Sequence, residues 1–405
     1  MVLGDCIMNI SFSPPDISEE EINEVIDTLK SGWITTGPKT KRFEQEIASY
    51  CRTQKAACLN SATAGLELVL RLFGIGEGDE VITSAYTYSA SASVIDHVGA
   101  KIILADTGKD SYEMDYSELE SLISERTKAI IPVDFAGIIC DYESMFRAVC
   151  SKQAIFKPGT EMQERIGRIL VLGDAAHSFG AIRNNTLSGA HADFSVFSFH
   201  AVKNLTTAEG GAVTWKDSIA DDNEIYRQFM LLSLHGQTKD ALSKAKAGSW
   251  EYDIVAPHFK CNMTDIMASI GLAQLRRYPD LLKRRAEIVN LYNEILDTGE
   301  FSILRHTGEN FDSCKHLYMV RLRNRNESFR NEVIKKMGQD GVAANVHFKP
   351  LPLFTAYKNL GFDIKDYPNA FEQYENSISI PLHTLLTDEE VCYIAACLKR
   401  AVREV

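Results

Sequence analysis

Three short stretches carry residue types that could do chemistry together. In the first, Asn60-Ser61-Ala62-Thr63-Ala64-Gly65-Leu66, small and hydroxyl-bearing residues open a helical pattern. A helix start presents N–H groups with no intrahelical acceptor, so with the Ser61 and Thr63 hydroxyls it can cradle a phosphate without a lysine. The same residues also suit an ordinary N-cap, and no Gly-Lys-Ser/Thr follows to make a nucleotide P-loop. The second, Val171-Leu172-Gly173-Asp174-Ala175-Ala176-His177-Ser178, is an apolar strand ending in a carboxylate. Open α/β folds bind ligands at the carboxyl ends of their strands, where Asp174 would want a cationic partner such as a protonated pyridine nitrogen. It would serve equally as a cap for the next helix. The third runs from Ser198 to Gly211 and holds Lys203 among apolar and small residues. A lysine kept from water has a lowered pKa and forms imines readily. His177, His191 and His200 match no metal-ligand spacing, and no metal is expected.

These residues need elements to position them. Short apolar strands alternate with helical patterns from ATAGLELVLRLF through DEVIT, KIILAD, KAIIPVD, RILVLGD, ADFSVFSF and GGAVTW. That alternation predicts an α/β fold with a mixed, mostly parallel sheet covered by helices on both faces. Ahead of it, Ser18 and Glu21 form a capping box for a helix whose Ile22, Val25, Ile26 and Leu29 define an apolar face, with Ile17 placed to staple onto Ile22. Past Trp215 the pattern turns helical to about Glu300, and HLYMVRLR, SFRNEVIKKMG and GVAANVHF then read as strand, helix and strand. Thr387 and Glu390 cap a last helix with Val391, Ile394, Ala395 and Leu398 on its buried side. The expected division is a large domain over 1–285 and a smaller C-terminal α+β domain over 286–405.

Composition narrows the function classes. The 405 residues are 45% hydrophobic and 24% charged, ordinary values for a globular protein that buries a core. A net charge of −12 argues against a non-specific binder of nucleic acid. Nine scattered cysteines without a Cys-x-x-Cys pair suggest reduced thiols, and no run of eighteen apolar residues suggests a membrane span. A cytoplasmic protein is expected.

Cradle, strand-end Asp174 and Lys203 twenty-nine residues later follow the order of a fold-type I pyridoxal phosphate (PLP) enzyme. SFHAVKNLTTAEGG, GDAAHSFGA, SATAGL, SGWITTGP and KCNMTDIMASIGLAQL resemble the motifs of the DegT/DnrJ/EryC1/StrS family of nucleotide-sugar aminotransferases. The resemblance implies that Lys203 holds the cofactor covalently and shuttles protons, that Asp174 pairs with its ring nitrogen, and that Ala62, Thr63 and Ser198 hold its phosphate. Tyr88 would stack on the ring and His177 would lie near its 3′ oxygen. Asn262, with Lys260, would reach the cofactor phosphate of a second subunit, making the active unit a homodimer with shared sites. His347 and Lys349 would line the sugar-nucleotide cleft. The implied reaction moves an amino group from L-glutamate to a nucleotide-linked 4-keto-6-deoxy sugar for surface polysaccharide or glycoconjugate synthesis. Amination at C3 is the near alternative. The family's PLP-dependent dehydratase branch replaces the lysine with histidine, and a non-catalytic regulatory homologue would be expected to lose Lys203 or Asp174; both residues are present. Gly173 stands where an acidic residue is often found, and SKQAIFKPGTEMQER is an extra segment before Arg168.

Overall fold

The computed structural model describes residues 8–217, 219–244, 250–297 and 299–405. Its centre is a seven-stranded sheet. The strands are β1 (Ala56–Leu59), β2 (Glu80–Ser84), β3 (Lys101–Ala105), β4 (Thr127–Ile131), β5 (Leu170–Asp174), β6 (Phe194–Ser198) and β7 (Gly211–Trp215), in the spatial order β1-β7-β6-β5-β4-β2-β3. The β3-β2-β4-β5-β6 run is parallel, and β7 lies antiparallel between β6 and β1. Buried residues on these strands fit helices on both faces, as the unbroken apolar runs require.

Two glycines set how closely the first sheet helix approaches. That helix, α3 (Ala62–Leu72), follows α1 (Glu19–Ser31) and α2 (Pro38–Cys51). A Cβ on Gly65 would lie 2.6 Å from Val196 Cγ1, so its absence lets α3 settle on β6. A Cβ on Gly211 would lie 2.6 Å from the Ala62 nitrogen, so β7 can pass directly beneath the start of α3. At its other end, the segment unexplained by the family pattern closes on this same helix. The Thr160 hydroxyl and the Gln163 amide donate to the Phe73 carbonyl at 3.0 and 2.9 Å, satisfying an acceptor that helix ends leave open. Gly173 has a local reason as well, since a Cβ there would meet the Tyr142 hydroxyl at 2.5 Å.

A long helix, here α5 (Asp265–Leu296), follows α4 (Ala90–His97) in the numbering used below and links the large sheet to a small one. The small sheet holds β8 (Phe301–Ile303), β9 (Tyr318–Leu322) and β10 (Ser377–Ile380), all antiparallel. The expected division at 285/286 falls inside α5, which packs under the large sheet through Leu272 and Tyr278 and on the small one through Ile288, Tyr292 and Leu296. The C-terminal helix (Asp388–Glu404) has its capping box and buries Val391, Ile394, Ala395 and Leu398, as its spacing predicts.

One expectation needs correction. GVAANVHF is not a strand: Val342 and Asn345 make isolated bridges, to Ile10 and Ser379. The apolar side of α1 is turned outward, with Ile22, Ile26 and Leu29, and Ile17 ahead of the helix, 41–54% exposed. What α1 turns inward is polar. Glu21 accepts from Arg277 at 3.1 Å and from Gln274 at 3.0 Å, and Arg276 reaches Glu24 at 2.9 Å, all from α5.

Gly211→Ala sets a methyl against backbone atoms that cannot rotate away. The expected cost is about 1–3 kcal/mol of stability, read by chemical denaturation, and an unchanged midpoint would show that β7 and α3 are not so tightly apposed.

Candidate active site

The carboxyl ends of β1, β2, β4, β5 and β6 converge on one cavity of about 500 Å³. Ser61, Ala62, Thr63, Tyr88, Asp174, His177, Ser198, Lys203 and His347 all line it. These are nine of the residues that the sequence singles out, drawn from segments far apart in the chain. A larger polar cleft, lined by Arg183, Arg305 and Arg321, lies elsewhere. Three of its arginines are engaged within the chain: Arg321 with Asp110 and Glu372, Arg305 with Asp297, and Arg183 with the Ile139 carbonyl.

Each side chain is held by a local feature. Ser61 is the N-cap of α3 and accepts from the Ala64 N–H at 3.1 Å, which leaves the Ala62 and Thr63 N–H groups without acceptors among the described residues. Asp174 ends β5, and its backbone is fixed on both sides by bonds from its own N–H to Pro132 O and from Ala175 N–H to Val196 O. Lys203 sits in the connection between β6 and β7, a closed turn in which Phe199 N–H donates to Gly210 O and Thr207 N–H to Phe199 O. The neighbouring Asn204 pins this turn by donating its amide to Cys314 O at 2.6 Å.

The electrostatics follow from burial. Enclosure pushes the Lys203 ammonium down to about 8, with the Asp174 charge partly opposing it. Burial raises the Asp174 carboxyl above its ordinary value, while hydrogen bonds from Ser91 and Ala176 and the charge of Lys203 pull it back. His177 is driven well below its usual value by burial and by Lys203 and His347, and His347 falls to about 4 by burial and Lys203. Both imidazoles are therefore neutral at pH 7. The buried His177 Nδ1 has no hydrogen-bond partner.

Several cavity residues escape sequence reasoning. His316 comes from the small-sheet region, lies with its ring tilted 4.3 Å from that of His177, and meets the Asn204 amide oxygen at 3.0 Å. Phe12 stacks on His347 at 5.4 Å, and Phe348 lies 5.8 Å from His177. Ser91 and Thr87 stand behind Asp174. These contacts are long-range and leave no spacing signal, except that Thr87 and Ser91 share the i,i+4 relation in a hydroxyl-rich run after β2.

Three expected residues lie outside the cavity wall of this chain. Asn262 bridges Leu59 and donates to the Thr36 hydroxyl, and Lys260 binds Asn262. The Lys349 ammonium sits 5.0 Å over the Phe354 ring.

A helix-start cradle, a buried strand-end carboxylate and a lysine of lowered pKa around one cavity define the site of a fold-type I aminotransferase. The chain belongs to the DegT/DnrJ/EryC1/StrS aminotransferase family, whose model matches residues 15–399. It is 40% identical to an uncharacterised protein of Methanocaldococcus jannaschii, covering 97% of this chain and 98% of that one. It is 35% identical to the spore coat polysaccharide biosynthesis protein SpsC of Bacillus subtilis, covering 97% of both chains. Spr1654 of Streptococcus pneumoniae, a provisionally assigned sugar aminotransferase solved with pyridoxamine phosphate, superposes with a TM-score of 0.95 at 54% identity over 98% of this chain and 100% of that one. Its PLP form gives the same TM-score at 52% identity, covering 98% and 99%.

The cofactor of the family is PLP, and the residues present fit it. There are free N–H groups for a phosphate, a buried carboxylate short of a cation, an orphan imidazole nitrogen and one reactive amine. Capture of the PLP aldehyde by apoprotein should therefore speed up as pH rises, with its midpoint near 8, because the neutral amine reacts. A midpoint near that of a solvated lysine, about 10, would contradict the burial effect.

Proposed function

We propose that this sugar aminotransferase takes its amino group from L-glutamate and delivers it to a nucleotide-linked 4-keto-6-deoxy sugar. The observation that carries the reading is the meeting of Lys203, Asp174 and the Ala62–Thr63 cradle in one cavity. PLP supplies an electron sink for the carbon that exchanges its amine. Lys203 holds the cofactor and, when displaced, moves the proton at the exchanging carbon, a task suited to an amine titrating near neutrality. Asp174 holds the ring nitrogen's proton. Ala62, Thr63 and Ser198 bind the phosphate, Tyr88 covers the ring and His177 faces the 3′ oxygen. His347 lines the sugar end, with Lys349 at the rim for the nucleotide phosphates.

The active unit in this reading is a homodimer. Support comes from α1, whose exposed Ile22, Ile26 and Leu29 form a stripe that the described residues leave uncovered, and from exposed Trp250, Tyr252, Ile254, Val255 and Phe259 just ahead of Lys260 and Asn262. Apolar area of this extent is unusual on a monomer's surface. Asn262 and Lys260 then complete the phosphate site of the second subunit.

Mixing holoenzyme with L-glutamate should bleach the visible cofactor band and release one 2-oxoglutarate per site. A bleached band without 2-oxoglutarate would rule out the donor, and full turnover by Lys203→Ala would rule out the lysine. Co-expressed Lys203→Ala and Asn262→Ala chains should regain about a quarter of the activity through mixed dimers, each single variant being inactive. An Ile22→Glu, Ile26→Glu double variant should sediment as monomer, and a persistent dimer would move the interface elsewhere.

A further inference from the structure

The two oxygens of Asp174 are addressed by different donors. Oδ1 accepts the Ala176 N–H at 3.2 Å, and Oδ2 accepts the Ser91 hydroxyl at 2.7 Å. Ser91 lies in the first turn of α4 and is wholly buried. Its hydroxyl is not spent on capping that helix, since the N-cap is Ser89, which makes no side-chain cap bond and meets Tyr357 instead. The second partner of Ser91 Oγ is Thr87 Oγ1 at 2.8 Å, and Thr87 is buried too. A carboxylate can only accept, so the single Ser91 proton goes to Asp174. The proton between the two hydroxyls must then come from Thr87.

We infer that Thr87 and Ser91 form a two-hydroxyl relay that positions Asp174 and keeps it ionised against its burial, so that Asp174 can hold the proton on the cofactor's ring nitrogen. Neither hydroxyl touches the reacting atoms; both are positioning residues. A hydrogen bond to a charged acceptor is about twice as strong as a neutral one, and a donor that is itself accepting a hydrogen bond is polarised further. Two apolar residues would fill the same space, so the hydroxyls matter through what they do to the carboxylate. The inference rests on the reading of Asp174 as the partner of that nitrogen.

The consequence is electronic. In Ser91→Ala, Oδ2 loses its buried donor, the carboxyl shifts toward its neutral form, and the ring nitrogen is held protonated less well. A ring with less positive charge withdraws fewer electrons, so the nitrogen joining it to Lys203 becomes more basic. The pH at which the visible band of the bound cofactor titrates should rise by about one unit, and the dissociation constant for PLP by about tenfold. Ser91→Thr keeps the hydroxyl and should restore both. Thr87→Val, at the outer end of the relay, should shift the band in the same direction by less, and it serves where Ser91→Ala does not fold. A wild-type titration midpoint and PLP affinity in these variants, with only the melting temperature lowered, would overturn the relay and leave the hydroxyls a packing role. A wild-type protein that forms no visible band with PLP would instead remove the reading of Lys203, and one whose Asp174→Asn variant titrates unchanged would remove that of Asp174.

Discussion

Burial of the Asp174 carboxylate is the constraint on which the site depends. The residue is 6% exposed and cannot withdraw, because the backbone there is bonded to Pro132 just after β4 on one side and to Val196 within β6 on the other. A charge in such a place is costly unless it is paired or well hydrogen-bonded. The protein supplies hydrogen bonds from Ser91 and Ala176 and the field of Lys203, yet the carboxyl still titrates above its ordinary value. A cation beside it would lower that cost, and on the proposed reading the protonated pyridine ring would be that cation.

Lys203 carries the complementary strain. Its ammonium is disfavoured by the same enclosure, and the histidines around it add no countercharge. His316 is held with its Nδ1 toward Asn204, whose amide is committed to the Cys314 carbonyl, so Nδ1 is the protonated nitrogen, while burial keeps the ring neutral. The residue after Lys203 thus sets the tautomer of a histidine from the other side of the cavity. On the proposed reading, an imine with the cofactor would relieve the desolvation that the Lys203 ammonium suffers.

What the sequence made legible is what local chemistry encodes. The capping boxes at Ser18 and Thr387, the strands ending in Asp174 and Ser198, and the motif around Lys203 all lie where their spacing places them. The four-residue β1, Ala56-Ala57-Cys58-Leu59, carries neither β-branched residues nor alternation, and its identity comes from pairing with β7 across the sheet. The spacing on α1 reports an apolar side and not what covers it. Its polar side meets half-buried Arg277 and buried Gln274, so the apolar side is left facing outward. Ser91, Thr87, His316 and Phe12 enter the site through contacts that tertiary packing alone creates.

The negative surface and the phosphate cradle bear on each other. Lys203 is the only Lys or Arg among the described residues that line the cavity. A phosphate site built from lysines would place competing amines beside an aldehyde that must react with one of them. Free N–H groups at the start of α3 attract the same anion through fixed dipoles and cannot form an imine. Gly211 is what permits that helix start to sit so near the sheet, and Thr160 and Gln163 complete its far end. An overall charge of −12 is then no obstacle to binding phosphate, because attraction comes from oriented backbone inside the cavity and not from the sign of the surface. On the proposed reading, selectivity for a single reactive amine would be written into the backbone as much as into Lys203.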